Sequence, residues 1–298
     1  MTDTMKKVGS IKKLIGKERL SVILSAMKFI PDKPFLKLEY RFLTGKPLNL
    51  KNPVTYDEKL QYLKLYDRKP VYTVMADKIA MRDFVAQRIG EGHTVPLYGV
   101  WDRAEDVDFD SLPDTFVIKC NHDSKGLSIC TDKQSFNREE AARQLDKSLK
   151  RNHFWMAREW PYRNIEPRIL AEQYIPGKTE YQVFCFAGEP KVMFVPDTVD
   201  GRFCESFLDM DYREIEDLSM GYPKLPSVPG KPECFEQMKE FCRALSADCP
   251  HLRVDFYVCG DSIYVGELTF FNDAGFAPVK THEWDEKLGS WISLPDGI

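Results

Sequence analysis

Long apolar runs are missing from this chain of 298 residues. No stretch approaches the ~18 apolar residues of a membrane-spanning helix. The N-terminus also lacks the apolar core and small-residue cleavage site of a secretory signal. Cysteine occurs at positions 120, 130, 185, 204, 234, 242, 249 and 259, never in C-x-x-C spacing, which argues against a zinc or redox centre. Several of these lie in apolar, strand-like runs and read as reduced core thiols of a cytosolic protein. No Ser-His-Asp or Cys-His pattern offers a nucleophile, and no internal repeat is visible. With 43% apolar and 12% aromatic residues, disorder is excluded, and the length fits one large or two medium domains.

The net charge of −4 is unevenly spread: residues 1 to 51 carry +8 and the remainder −12. A basic segment on an acidic body addresses anionic lipid, nucleic acid or the protein's own acidic surface. Residues 10 to 30 alternate apolar groups and lysines at near-helical spacing until Pro31, which fits either an interfacial helix or a docked one. A second helix is expected over Pro34 to Leu43. Thr55-Tyr56-Asp57-Glu58 is a capping box opening a helix through Tyr66, and a further helix is expected over Val71 to Ile89. An extended piece, Val95 to Trp101, follows.

Phe116 to Cys130 reads as strand, polar loop and strand. Small polar residues from Asp123 to Gly126 can fold backbone amides over phosphate oxygens, with Lys119 adding a cation. The loop has too little glycine for a P-loop or a Rossmann turn, and the same pattern also fits a plain hairpin. His122 beside it is either an acid/base or a solvated loop residue. A basic helix over 138 to 151 precedes a meander: Arg168 to Ile175, Glu180 to Phe186 and Lys191 to Val195. Asp197 to Pro232 is turn-rich and is expected to lie over the surface. An amphipathic helix, Glu233 to Cys249, leads into Leu252 to Tyr257 and Ile263 to Thr269, two antiparallel strands joined at Gly260-Asp261. Side chains alternate faces along a strand, so Arg253 and Asp255 share one face, as do Glu267 and Thr269. Crowded carboxylates call for a divalent cation, most often Mg²⁺ shared with substrate phosphates.

Taken together these residues resemble the TupA-like family of the ATP-grasp superfamily, linked to teichuronopeptide and surface-polysaccharide biosynthesis, such as capsule and O-antigen. The resemblance runs from about Asn52 to Pro295. It is carried by Lys59 to Asp67, Asp77-Lys78, Phe116 to Gly126, Arg158-Glu159-Trp160, Phe184 to Lys191, Arg253-Val254-Asp255, Gly266 to Phe270 and Trp284 to Gly289. It implies an α+β ATP-grasp fold of two lobes, each with an antiparallel sheet. The expected divisions are 1–70 (basic helical segment), 71–173 (first lobe with the phosphate loop) and 174–298 (second lobe with the metal hairpin).

The resemblance further implies ATP and Mg²⁺ as cofactors. Lys78 and Lys119 correspond to phosphate-contacting lysines, and Ser124, Lys125 and Gly126 to the phosphate-covering loop. Glu172, Tyr174 and Ile175 look like the adenine-binding hinge and Glu180 like the ribose acid. Arg253 matches the arginine facing the transferring phosphoryl, and Asp255 and Glu267 match metal ligands. Many ATP-grasp enzymes carry Glu-x-Asn on the last strand, whereas this chain has Thr269 at the third position, so Thr269, Asn272 or Asp273 is the expected further ligand.

The implied reaction joins a carboxylate to an amine through an acylphosphate. The expected substrates are the carboxyl of a uronic acid in a polysaccharide or its precursor and an amino acid, with no nucleic-acid partner. A sugar kinase would use the same charged residues, and a glycosyltransferase would use a D-x-D motif such as Asp209-Met210-Asp211. A non-catalytic binding module fits the retained charges least. Product analysis separates the three active classes.

Overall fold

The computed structural model describes residues 27–123 and 126–295. Two antiparallel sheets organise them, in an α+β arrangement. The smaller sheet has strands β1 (Leu97–Trp101), β2 (Phe116–Cys120), β3 (Leu127–Cys130) and β4 (Ile169–Gln173) in the order β1-β4-β2-β3. The larger has β5 (Thr179–Phe186), β6 (Glu189–Val199), β7 (Arg202–Asp209), β8 (His251–Cys259) and β9 (Ser262–Thr269) in the order β7-β6-β5-β8-β9.

The helices before β1 are α1 (Asp32–Thr44), α2 (Tyr56–Tyr66), α3 (Val71–Ala76) and α4 (Met81–Ile89). The capping box forms at α2, where Thr55 Oγ1 accepts from the Glu58 amide and Glu58 Oε2 accepts from the Thr55 amide. Residues 10 to 26 of the expected first helix lie outside the described residues.

The single helix expected over Val71 to Ile89 is broken into α3 and α4 at Asp77. Its Oδ1 accepts from the Ile79 amide at 2.8 Å and from Asn121 Nδ2 at 2.9 Å, so the side chain competes with the helix ladder. Helices α5 (Arg138–Leu149) and α6 (Phe154–Ala157) follow β3, α7 (Phe235–Ser246) precedes β8, and α8 (His282–Ser290) follows β9.

Two principal cores result. Phe116, Ile118, Leu145, Ile169 and Ala171 pack α5 on the small sheet. Tyr56, Leu60, Tyr72, Met75, Met81 and Val85 pack α2, α3 and α4 with the large sheet and α7. The expected division at residue 71 therefore cuts through one core, because α2 to α4 share apolar neighbours with the second sheet.

The turn-rich expectation holds for 210 to 232 and is corrected for 197 to 209. β6 runs through Val199 and turns back into β7 at Asp200-Gly201, both with positive φ (50° and 73°), a two-residue hairpin turn. Asp209 caps the next turn, its Oδ1 accepting from the Asp211 and Arg213 amides, so Asp209-Met210-Asp211 is a turn-capping element. Among the described residues, no helix is long and apolar enough to cross a membrane.

Candidate active site

The break at Asp77 places Lys78 between the sheets. Its amide donates to the Asn121 carbonyl, and its Nζ reaches Glu267 Oε1 on the large sheet at 3.0 Å and the Asp123 carbonyl at 3.3 Å. Lys119 on β2 is buried and paired with Glu172 on β4, which the antiparallel register sets diagonally across from it. Glu172, expected at the hinge with Tyr174 and Ile175, is thus a lysine partner within the sheet, while Tyr174 and Ile175 follow β4 into the cleft. A cavity of about 180 Å³ is lined by these two lysines, Asp123, Glu172, Tyr174, Ile175 and Glu267, with Val117, Leu127 and Ile129 as an apolar wall.

The β8–β9 hairpin forms as its alternation predicts, with Asp255 opposite Glu267 and Arg253 opposite Thr269. Arg253 grips Asp255 with two hydrogen bonds of 2.7 Å, Nε to Oδ1 and Nη2 to Oδ2. Its Nη2 also donates to Thr269 Oγ1 at 3.3 Å, and its Nη1 donates to Asn272 Oδ1. Thr269 and Asn272, both expected near a metal, therefore face the guanidinium in this structure. Burial opposes the Arg253 charge, but Asp255 outweighs it and holds the group protonated. Burial likewise opposes the charge on Glu267, while Lys78, Arg253 and Lys119 outweigh it and keep the carboxyl below its usual range.

Asn272 sits on an unusual turn. Asp273 (φ 47°) and Ala274 (φ 56°) are left-handed without being glycine, and Gly275 (φ 70°) continues the series. Left-handed backbone costs roughly 1–2 kcal/mol per non-glycine residue. Two side chains of α2 hold the turn: Lys64 Nζ donates to the Ala274 carbonyl at 2.6 Å and Gln61 Nε2 to the Gly275 carbonyl at 2.8 Å.

Other expected residues fall elsewhere. Ser124 and Lys125 lie outside the described residues. Gly126 packs so closely on α5 that a Cβ would meet Ser148 Oγ at 2.6 Å. The expectation that His122 is an acid/base is corrected. Its Nε2 lies 3.0 Å from the Arg151 carbonyl and 3.3 Å from that of Ser148, the ring is 2% exposed, and it does not line the cleft. Burial pushes its pKa down. Glu180 accepts from Gln182 Nε2 at 2.7 Å and lines the neighbouring hollow instead of the cleft.

Lys178 and Tyr257 line the cleft without having been singled out in the sequence. The Lys178 Nζ sits 2.9 Å above the Tyr257 ring, and burial pushes its pKa down to about 8. The Pro176-Gly177 turn aims it inward; a lone lysine after such a turn carries no sequence signal.

These groups suit a magnesium nucleotide. Two inward carboxylates, Asp255 and Glu267, are hard oxygen donors of the kind that hold Mg²⁺ with one or two protein ligands and substrate phosphates. Among the described residues, no three His, Cys, Asp or Glu side chains gather as an all-protein cage.

Residues 58–293 match the family described as TupA-like ATPgrasp. The chain belongs to this family. It is accordingly an ATP-grasp protein. No curated protein matches the sequence. Among solved structures it is similar to an L-amino acid ligase from Bacillus licheniformis (16% identity, 84% of this chain and 57% of that one, TM-score 0.47). It is similar as well to a D-alanine–D-alanine ligase from Helicobacter pylori (16% identity, 80% and 69%, TM-score 0.44). A third likeness is to the D-alanine–D-alanine ligase from Bacillus anthracis complexed with ATP (19% identity, 66% and 55%, TM-score 0.40).

Proposed function

We propose that this ATP-grasp protein joins a carboxylate to an amine, amidating a uronic acid of a surface polysaccharide or its precursor with an amino acid. The supporting observation is Arg253, a buried guanidinium fixed on the same sheet face as Asp255 and Glu267. An oxyanion at a tetrahedral acyl carbon needs such a preorganised cation. Bound ATP supplies the phosphoryl group that turns a carboxylate oxygen into a leaving group, with Mg²⁺ neutralising phosphate charge.

The chain's own residues do the rest. Lys78, Lys119 and Lys178 bind and orient phosphates, Asp255 and Glu267 hold the metal, and the wall of Val117, Leu127 and Ile129 with Tyr174 and Ile175 receives the adenine. Thr269 and Asn272 orient Arg253. We place the protein in the cytoplasm, with the +8 charge of residues 1 to 51 drawing it to the anionic inner face of the membrane.

Hydroxylamine tests the reaction. With ATP, Mg²⁺ and glucuronate, the protein should form a hydroxamate together with ADP and phosphate. A stable phosphorylated sugar made without any amine would identify a kinase instead.

A further inference from the structure

The face of the large sheet that carries Arg253 holds two more hollows beside the cleft. One, of about 180 Å³, has Arg253 and Asn272 at one end and the rings of Phe184, Phe194, Phe203 and Tyr222 around it. The other, of about 520 Å³, is bordered by Glu180, Asp197, Thr198 and Ser227. Gln182 and Phe203 line both, and Lys178 lines both the larger hollow and the cleft, so the three adjoin one another along the sheet.

Strand register creates this row. Phe184 lies opposite Arg253, Gln182 opposite Asp255 and Phe194, and Thr198 opposite Phe203.

A fixed strap forms one wall. Buried Glu205 on β7 accepts from Ser219 Oγ at 2.8 Å and from the Met220 amide at 2.7 Å, while its backbone pairs with Pro223 and Leu225. The strap thereby sets Tyr222 edge-on to Phe203, with the ring planes at 67° and the centroids 4.6 Å apart. Yet both rings stay open to solvent, at 45% and 43% exposure. Two exposed aromatic rings locked together by a buried carboxylate serve no core, and they stand between a guanidinium and a border of hydroxyl, amide and carboxylate groups.

We propose that this trough binds an oligosaccharide carrying one uronic acid, with the sugar carboxylate at Arg253 and the adjoining pyranose rings on Phe203 and Tyr222. The C–H face of a pyranose packs on an aromatic ring, while its hydroxyl edge needs the donors and acceptors that Gln182, Thr198 and Ser227 provide. Glu180 and Asp197 repel further carboxylates, so the adjoining sugars are neutral. A hollow of about 520 Å³ lies in the range of roughly 300–1,000 Å³ that holds ligands well above single amino-acid size. The inference rests on the carboxylate–amine reading of the Arg253 pocket and adds an order of events: glycosyl transfer builds the acceptor chain before amide formation.

Calorimetry with glucuronate and with glucuronate joined to one, two or three xylose units tests the trough without turnover. Affinity should rise at least tenfold from the monosaccharide to the trisaccharide, and Phe203→Ala and Tyr222→Ala should abolish the gain while leaving ATP affinity unchanged. Equal affinity across the series, no binding, or undiminished binding by both folded variants overturns the proposal, as does tighter binding of a glutamate-containing peptide of like length. Should the variants not fold, the wild-type series decides alone. Oligosaccharide binding without hydroxamate formation would remove the ligase reading and leave the trough standing; hydroxamate from glucuronate with flat affinity would do the reverse.

Discussion

Arg253 makes hydrogen bonds to Asp255, Thr269 and Asn272 that a lysine cannot copy, because only a planar guanidinium delivers two parallel N–H groups to one carboxylate. Arg253→Lys keeps the charge and loses its aim. Turnover should fall by about 10² to 10³, with ATP affinity little changed, as initial rates of ADP release and calorimetry will report; an intact rate would take Arg253 out of the reaction. Lys178 makes a different demand, on pH. Burial lowers its pKa to about 8 from the ordinary 10.5, so the folded protein carries this cation below about pH 8 and loses it above. Sign follows: ATP affinity should decline as pH rises through about 8, and Lys178→Arg, which stays charged, should flatten that limb. Should the limb persist in the arginine variant, another group titrates there.

The turn Asn272–Gly275 shows how one element positions another. Helix α2 lies far from it in sequence, yet Gln61 and Lys64 hold its two carbonyls and so fix Asn272 against Arg253. Gly275→Ala would put a Cβ 2.5 Å from Gln61 Nε2 at φ 70°. The variant should lose about 1–2 kcal/mol in urea unfolding and lose turnover beyond what that loss explains; wild-type turnover at reduced stability would limit α2 to a structural role.

Elements with a local signal were readable from the sequence. The capping box at Thr55 and the alternation of β8 and β9 placed a helix start and the acid-bearing face correctly, since each depends on neighbours a few residues away. The break at Asp77 was not, because it depends on Asn121, brought close only by the fold. The β6–β7 hairpin was missed although Asp200-Gly201 is a strong turn signal, and its polar, proline-containing surroundings hid it. Lys178 had no local pattern at all.

At the scale of the whole molecule, charge is arranged in two ways. Residues 1 to 51 carry +8 on a body of −12. Each basic residue near an anionic bilayer contributes roughly 1 kcal/mol, so the protein should sediment with phosphatidylserine-containing vesicles at low salt and be released as salt rises. Absence of binding at low salt would assign this segment to the protein's own surface. In and beside the cleft, by contrast, opposite charges are matched at close range: Lys78 with Glu267, Lys119 with Glu172, Arg253 with Asp255.

On the proposed reading, such a cleft would act as an ion exchanger in its resting form. Phosphates arriving at the lysines would release carboxylates, and a divalent ion arriving at the carboxylates would release cations, so that each ligand would free the other's binding groups. Reciprocity then requires the enhancement to be equal in both directions. Mn²⁺ titrated alone should bind weakly, and a non-hydrolysable ATP analogue should tighten it by the same factor by which Mn²⁺ tightens the analogue. Disrupting one pair with Glu267→Gln should shrink that shared factor while leaving binding of the metal-free analogue no weaker, since Lys78 would then stand unopposed, ready for an anion.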